Sequence, residues 1–466
     1  MEIKISYNMC AKYLKLVTPA ITIGQERHIS CMINMLKMHC MITAFLLAVA
    51  AQRVSSFELV PFTQVINATE RRAVCMDGSP GGYYYSAGSG DGAKNWLIYL
   101  MGGGWCADIA TCQNLFNEIR GSSKLSGNAN FTGILSPDKD INPDFYNWNR
   151  IYVFYCDQSS FLGDTEVDGQ GQKVQFRGSK IFDAVVEDLL VKGMAIGKNV
   201  ILSGRSAGGL ATILHRDNFR ARLPDVGRVK CLSDSGFFIR AENVPNADYR
   251  EQYFASTIML HEISRFLPAT CTKRMDPDLC LFPENIVGHV RTPLFILNSA
   301  FDYFQVRFQL VPTSFPDWQR WNMCVNNLSA CTAADKQLII DFGDAFFKGV
   351  TQILKNPSVG MFINACYAHS VAYDEHYWSP NSIVKLGNLT ILESFSNWYF
   401  DRDSVTLTTL EAFGNWYFDR ADSVALVTSS NYVENYEAAA RDACVVYDNY
   451  IDFQAYQLLR ECNSRI

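Results

Sequence analysis

A short strand, a glycine-flanked serine and a helix follow one another within residues 198–214. Residues 200–202 form an apolar run typical of a buried parallel strand. The next five residues, 204–208, fit G-x-S-x-G, and apolar residues at helical spacing come after them. The backbone of a serine in such a sharp turn is strained and crowded, which is why its neighbours are glycines. We predict that Ser206 is a nucleophile at a strand tip, above a helix N-terminus whose dipole favours negative charge.

The rest of the chain alternates between short apolar runs and segments with helical spacing. Strand-like runs begin near residues 83, 96, 151, 229, 292 and 361, and helical segments cover 180–196 and 335–358. This alternation predicts a mainly parallel, doubly wound sheet with helices on both faces. Together with the serine turn it indicates an α/β-hydrolase-like fold with helical insertions, one of them a lid or insertion at 240–285.

A serine hydroxyl attacks only when a base accepts its proton, and that base is usually a histidine oriented by a carboxylate. In hydrolases of this fold the chain order is serine, acid, histidine, and each follows a strand. Ser206, Asp302 and His369 satisfy this order and are predicted as a catalytic triad. Asp234, at the end of an earlier predicted strand, remains an alternative acid, and His376 remains an alternative base.

Three successive glycines, 102–104, interrupt the predicted strand that begins at residue 96. Such a loop lets backbone N–H groups point into a cavity, where they can stabilise an oxyanion together with the residue after the nucleophile. We therefore predict an oxyanion hole formed by the N–H groups of Gly104, Trp105 and Ala207.

A leader precedes the predicted catalytic domain. Residues 38–51 combine a weakly positive start, an apolar core too short to span a bilayer and a small-x-small pattern. We interpret them as a secretory signal behind an upstream extension, with a membrane anchor or a buried apolar helix as alternatives. The predicted organisation is an extension and signal peptide at 1–57, a hydrolase domain at 58–430 and an atypical tail at 431–466.

The cysteine and glycosylation patterns agree with secretion. Without the leader, twelve of the fifteen cysteines remain, an even number that implies disulfides in a secreted chain. No C-x-x-C pair with matching cysteine or histidine spacing is present, so we predict neither a metal nor another cofactor. Close spacing predicts the disulfides Cys106–Cys112, Cys271–Cys280 and Cys324–Cys331, and N-x-S/T sequons begin at Asn67, Asn130, Asn327 and Asn388.

The charge of the chain limits its partners. A net charge of −6 without a basic block gives no sign of binding to nucleic acid or to an anionic membrane. We expect a secreted, extracellular monomer with no stable membrane insertion in the mature form. One segment is repeated, since residues 392–402 recur almost unchanged as 410–420. Two copies are too few for a solenoid, so we interpret residues 392–424 as a local duplication of one amphipathic helix.

Blocks of sequence spread over residues 73–402 resemble a known family. They are Val74–Ser79, Asn95–Cys106, Tyr155–Asp157, Ser160–Asp164, Phe176–Gly178, Gly204–Gly209, Cys231–Phe238, Asp302–Gln305, Cys366–His369 and Asn397–Arg402. On these blocks the chain is similar to the pectin acetylesterase family, which also contains Notum-type protein deacylases. The resemblance implies a metal-free serine esterase of the cell wall, with acetylated pectin as substrate and the triad and oxyanion hole predicted above.

The chain departs from the family pattern in three places. Met101 stands where the family usually has a glutamate before the triple glycine, the cysteine- and proline-rich ending is missing, and the block at 397–402 is doubled. Two other functions therefore stay open beside the polysaccharide acetylesterase. One is a Notum-like protein O-deacylase with an apolar acyl pocket, and the other is an inactive, secreted carbohydrate-binding homologue.

Overall fold

A nine-stranded sheet lies at the centre of this computed structural model, which describes residues 58–169, 171–289, 291–353, 356, 358–386 and 388–402. Two short hairpins, β6–β7 and β12–β13, lie outside the sheet. The strands are β1 (Glu58–Gln64), β2 (Gly82–Ser86), β3 (Asn95–Leu100), β4 (Asn128–Phe131), β5 (Asn149–Val153), β6 (Thr165–Asp168), β7 (Lys173–Phe176), β8 (Asn199–Arg205), β9 (Arg228–Asp234), β10 (Leu294–Ser299), β11 (Val359–Asn364), β12 (Lys385–Leu386) and β13 (Leu389–Thr390).

The α-helices of the described chain connect these strands. They are α1 (Ile109–Asn114), α2 (Gly178–Val191), α3 (Ala207–Ala221), α4 (Ala247–His261), α5 (Ala269–Thr272), α6 (Tyr303–Gln309), α7 (Trp318–Asn326), α8 (Ala333–Ile353) and α9 (Ile391–Phe400). Helix α2 ends earlier than predicted because Gly193, at a φ of 113°, turns the chain into the left-handed region. Residues 194–196 then form a separate 3₁₀ turn rather than a continuation of the helix.

The strand order in the sheet is β11-β10-β9-β8-β3-β5-β2-β1-β4. The six strands from β11 to β5 are parallel to one another, and β2, β1 and β4 extend the sheet in antiparallel fashion. Strand β8 is central: Leu202 lies in register between Ile98 of β3 and Cys231 of β9, and all three are buried. The predicted, mainly parallel α/β sheet is confirmed, and the antiparallel extension is an addition to it.

Both faces of the sheet are covered. The chain moves from β3 to β5 in one direction and from β5 through β8 to β11 in the other, so right-handed crossovers place their helices on opposite faces. On one face α2 and α3 pack together, with the ring of His215 stacked on Phe182 at 3.9 Å. On the other, α9 packs against the β3–β5 connection, where Phe395 contacts Phe145. Parallel strands place their carboxyl ends at one edge, which is where a site can form.

Disulfides secure the loops around this edge. The three predicted bonds, Cys106–Cys112, Cys271–Cys280 and Cys324–Cys331, are present. A fourth joins Cys75 to Cys156 across 81 residues, and Cys366 is also disulfide-bonded. Cys231 has a free, buried thiol, so the even count of cysteines did not mean that every one is paired.

Several predictions fall on residues outside the described part of the chain. These are the leader at 1–57, the second copy of the repeat at 410–420 and the tail at 431–466. The first copy of the repeat forms α9, which begins with a capping box between Thr390 and Glu393. Among the described residues, every helix is too short or too polar to cross a membrane.

Candidate active site

Ser206 occupies a sharp turn between the end of β8 and the start of α3. Its backbone has a φ of 55° and a ψ of −124°, a strained combination for a residue with a side chain. A Cβ on Gly204 would lie 2.4 Å from the carbonyl oxygen of Gly208, and one on Gly208 would lie 2.2 Å from that of Leu100. Only glycine fits at these two positions, as the motif predicts.

Asp302 and His369 meet above neighbouring strands. Asp302 follows β10, is fully buried and accepts the N–H of Gln305 through Oδ1 at 3.0 Å, which caps α6. Its other oxygen, Oδ2, lies 2.8 Å from Nδ1 of His369, which follows β11. The imidazole also stacks on the ring of Phe304, at 5.3 Å between centroids. One carboxylate therefore orients the helix and the histidine together.

Asp234, at the end of β9, connects the serine turn to the histidine loop. Its backbone carbonyl accepts the N–H of Ser206 at 2.8 Å. Its carboxylate accepts the N–H groups of Val371 and Ala372, at 3.1 and 2.9 Å, and the hydroxyl of Tyr99 at 2.9 Å. Burial raises the pKa of Asp234, although these donors and nearby His369 oppose the shift. Both Ser206 and the loop after His369 are thus held by one buried aspartate.

The triple-glycine loop passes directly over the serine turn. A Cβ on Gly102 would lie 2.7 Å from Cβ of Ser206, and Gly104 has a left-handed φ of 74°. The carbonyl of Gly104 accepts the hydroxyl of Tyr155 at 2.8 Å, and that of Trp105 accepts the hydroxyl of Tyr253 at 2.7 Å. In the described chain no backbone hydrogen bond uses the N–H groups of the three residues predicted for the oxyanion hole, Gly104, Trp105 and Ala207.

The comparison with known proteins identifies the family. The family model described as Pectinacetylesterase matches residues 54–438. The chain is 40% identical over 346 residues to pectin acetylesterase 7 of Arabidopsis thaliana, and 41% identical over 346 residues to pectin acetylesterase 11 of the same plant. Each alignment covers 74% of this chain and 88% of the relative. The chain belongs to the pectin acetylesterase family. It is accordingly a carboxylic ester hydrolase.

More distant relatives share the fold. The palmitoleoyl-protein carboxylesterase notum2 of Xenopus laevis is 28% identical to this esterase over 316 residues, 64% of this chain and 60% of the relative. A crystal structure of the Wnt deacylase Notum from Drosophila superposes with a TM-score of 0.60 at 23% identity, covering 74% of this chain and 94% of the other. At this identity the structural match supports the α/β-hydrolase-like fold alone.

A second strained segment in this esterase supports the glycine loop. Gln158, Ser160 and Phe161 have φ angles of 54°, 55° and 58°. The carboxylate of Asp157 holds this loop by accepting the N–H and hydroxyl of Ser159 and the N–H of Phe161. Burial raises the pKa of Asp157 to about 6, and the hydrogen bonds oppose the shift.

This loop reaches the residues predicted for the oxyanion hole through two hydrogen bonds. The hydroxyl of Ser160 accepts Nε1–H of Trp105 at 2.8 Å, and the N–H of Ser160 donates to the hydroxyl of Tyr155 at 3.0 Å. Tyr155 in turn holds the carbonyl of Gly104. Sequence reasoning assigned no role to Tyr155 and Ser160, although both lie in blocks that resemble the family. Positive φ angles in non-glycine residues leave no mark in the sequence.

The other histidines of the described chain have different surroundings. His376, the alternative base, is exposed, and its Nδ1 lies 2.9 Å from Asp374 at the surface. His215 and His261 are buried, and burial lowers the pKa of each to about 4. His261 lies beside Cys106 and Cys112, the one grouping of metal-ligating residue types found among the described residues. Both sulfurs of that grouping are in a disulfide, so neither is available as a thiolate.

Proposed function

We propose that this esterase is secreted and removes acetyl groups from cell-wall polysaccharide, namely pectin, through a Ser206–His369–Asp302 triad. The observation that carries the proposal is the 2.8 Å contact between His369 Nδ1 and a fully buried Asp302, on a loop tied through Asp234 to the serine turn. A carboxylate on Nδ1 selects the tautomer whose Nε2 can accept the serine proton.

The reaction follows from these positions. The hydroxyl oxygen of Ser206 attacks the acetyl carbonyl while Nε2 of His369 takes its proton. The oxyanion forms against the N–H groups of Gly104, Trp105 and Ala207. When the tetrahedral intermediate collapses, the C–O bond to the sugar breaks and the imidazolium protonates the leaving sugar oxygen, which becomes a hydroxyl. Water then attacks the acetyl-enzyme by the same route, releasing acetate and restoring the serine.

Packing beside the glycine loop supports a small acyl group. The ring of Trp105 lies 4.8 Å from that of Phe238 and 5.2 Å from that of Phe254, edge to face, and all three side chains are buried. Rings packed at these distances leave no channel for a long acyl chain between them. The greater identity to the pectin acetylesterases than to the palmitoleoyl-protein carboxylesterases favours the same substrate class.

Secretion to the cell wall is part of the same proposal. Four disulfides within the described chain are typical of an oxidising compartment. Of the sequon asparagines, Asn67 and Asn388 are exposed and accessible to glycosylation, whereas Asn130 and Asn327 are half-buried. We also propose that the enzyme works as a monomer, since the triad is contributed by a single chain.

The test is a Ser206→Ala variant assayed on 4-nitrophenyl acetate, acetylated pectin and 4-nitrophenyl octanoate. We expect kcat on both acetyl substrates to fall at least about 10⁴-fold, because the proposed acyl-enzyme forms on the hydroxyl that this variant removes. Wild-type protein quenched during turnover should carry an acetyl group on the peptide that contains Ser206. Ser89→Ala, at an exposed position, is the matched control and should be fully active.

Three results would reject the proposal. Near-normal acetyl-ester hydrolysis by Ser206→Ala would exclude Ser206 as the nucleophile. Wild-type protein that prefers the octanoate to both acetyl substrates would support a Notum-like deacylase instead, and one that hydrolyses none of the three would support an inactive homologue.

A further inference from the structure

Aromatic side chains form a continuous track from His369 toward the surface. The ring of Phe304 stacks on His369 at 5.3 Å, Phe308 follows at 5.2 Å, and Trp318 lies 6.1 Å beyond Phe308. Phe304 and Phe308 lie one turn apart on α6, so they share a face of that helix. All three rings are half-buried, unlike the fully buried rings behind Trp105, and therefore present a surface to a ligand.

The track begins inside the proposed active site. A Cβ on Gly104 would lie 3.9 Å from the ring of Phe304, and the Trp105 ring lies 6.3 Å from it. Phe304 thus lies between the oxyanion loop and the imidazole. A substrate whose ester reaches Ser206 would extend over this ring.

Arg307 adds a positive charge beside the track. Its guanidinium lies 4.8 Å from the ring centroid of Phe308, and its Nε–H donates to Oδ1 of Asn322 at 3.1 Å. It also donates to the hydroxyl of Tyr303. Within the described chain Arg307 has no carboxylate partner. The two hydrogen bonds use the donors of Nε and Nη1, and the guanidinium carries five N–H donors in all, so others are left for a ligand.

The acidic residue next to Trp318 in the sequence is already paired elsewhere. Asp317, which precedes Trp318, faces Arg320 at 3.9 Å. Arg320 in turn binds Asp335 at 2.5 Å. Among the described residues Arg307 is therefore a cation without an acidic partner, on a protein with a net charge of −6. It lies next to three neighbouring rings that lead to His369.

We propose that Phe304, Phe308, Trp318 and Arg307, here called the α6 track, form a subsite for an acidic polysaccharide. Sugar rings stack on the aromatic side chains, and Arg307 binds the carboxylate of a uronic acid residue next to the acetylated sugar. This inference rests on the proposed function and specifies its substrate as an acetylated polyuronate. An acyl chain fits less well, because it would desolvate the guanidinium without pairing it.

The test compares wild-type protein with Arg307→Gln on three substrates: acetylated polygalacturonate, the same polymer with its carboxyl groups methyl-esterified, and 4-nitrophenyl acetate. We expect the ratio of kcat/KM for the polyuronate to that for the small ester to fall about tenfold, through a higher KM rather than a lower kcat. The preference for the charged polymer over the esterified one should disappear. Raising the salt concentration should weaken the wild-type preference and leave the variant unchanged.

Phe308→Ala tests the stacking surface separately. Because stacking does not depend on the carboxylate, this variant should lose activity on both polymers alike, severalfold more than on the small ester. Arg265→Gln is the matched control. Arg265 lies 4.9 Å over the ring of Phe266 in a similar arrangement, but it pairs with Asp164 at 3.5 Å. That control should match wild-type protein on all three substrates.

Binding measured without catalysis separates this inference from the proposed function. Ser206→Ala protein should bind unacetylated polygalacturonate in isothermal titration calorimetry, and adding Arg307→Gln should weaken that binding about tenfold. An unchanged affinity would overturn the subsite even if the esterase activity is as proposed. Equal losses on all three substrates for Arg307→Gln would show a merely structural arginine. A Phe308→Ala variant impaired only on 4-nitrophenyl octanoate would assign the track to an acyl chain.

Discussion

Two buried aspartates at the ends of adjacent strands have different partners. Asp302 follows β10 and gives one oxygen to the imidazole of His369 and the other to a helix N-terminus. Asp234 ends β9 and gives its oxygens to backbone N–H groups and to the hydroxyls of Tyr99 and Ser235. Position at the tip of a parallel strand therefore does not decide which carboxylate acts on the histidine. The path of the loop after β11 decides which of the two carboxylates contacts His369.

The comparison predicts that the two aspartates have different roles. Asp302 should affect the reaction rate, because its carboxylate orients the imidazole that we propose transfers protons. Asp234 should act mainly on stability and on loop position, because it holds backbone at Ser206 and at residues 370–372. Two variants test this difference in roles, and a third extends it to a further buried aspartate, Asp157; they are taken from the largest expected effect to the smallest.

The largest effect is expected for Asp302→Asn. An amide cannot favour the tautomer with Nδ1–H as a carboxylate does, so kcat should fall about 10⁴-fold at neutral pH with little loss of stability. Steady-state kinetics on 4-nitrophenyl acetate and thermal unfolding measure the two quantities. Asp374→Asn, which alters the exposed contact to His376, is the matched control and should change kcat less than about twofold. A large loss in that control instead would make His376 the base.

Asp234→Asn should separate stability from rate. The asparagine NH₂ group would face a backbone N–H of Val371 or Ala372, leaving a buried donor without its acceptor. We expect the free energy of unfolding to fall by about 3 kcal/mol, and kcat by roughly tenfold as the histidine loop shifts. Urea unfolding and kinetics at the same pH provide both numbers. If Asp234→Asn lost as much activity as Asp302→Asn without losing stability, the assignment of the two aspartates would be reversed.

We expect the smallest effect on rate for Asp157→Asn. This variant should instead change how the free energy of unfolding depends on pH. Burial raises the pKa of Asp157 to about 6 in the folded protein. The folded protein therefore binds a proton on this carboxyl group more tightly than the unfolded chain does. The protonated carboxyl group of Asp157 contributes its full stabilisation of the folded protein near pH 4. This contribution is lost as the pH rises through about 6. An asparagine does not ionise, so the Asp157→Asn variant does not lose stability from this position as the pH rises.

The measurement is the difference in free energy of unfolding between Asp157→Asn and wild-type protein from pH 4 to pH 7. This difference should move in favour of the variant as the pH rises, by on the order of 3 kcal/mol. His215 and His261 titrate with the opposite slope, but they are common to both proteins and cancel. Asp225→Asn, at an exposed position, should give a flat difference. A flat difference for Asp157→Asn as well would mean that this carboxylate is ionised throughout.

Much of the architecture could be predicted because it depends on local pattern. The strand before Ser206, the glycines around it and the helix after it form a unit whose steric demands are contained in five residues. Close cysteine spacing likewise predicted three of the four disulfides joining described residues. The bond from Cys75 to Cys156 could not be predicted from the sequence, because two cysteines 81 residues apart give no local signal of pairing.

The amino-acid sequence by itself determined the sharp turn at Ser206, the parallel sheet around it and the family, since each depends on short motifs or on the order of strands. Only the tertiary structure decided which aspartate faces His369, which loop supports Trp105 and which side chains surround Arg307. Those choices depend on the distances between side chains on segments far apart in the chain. Contacts of that kind form only when the sheet brings its strand ends to one edge.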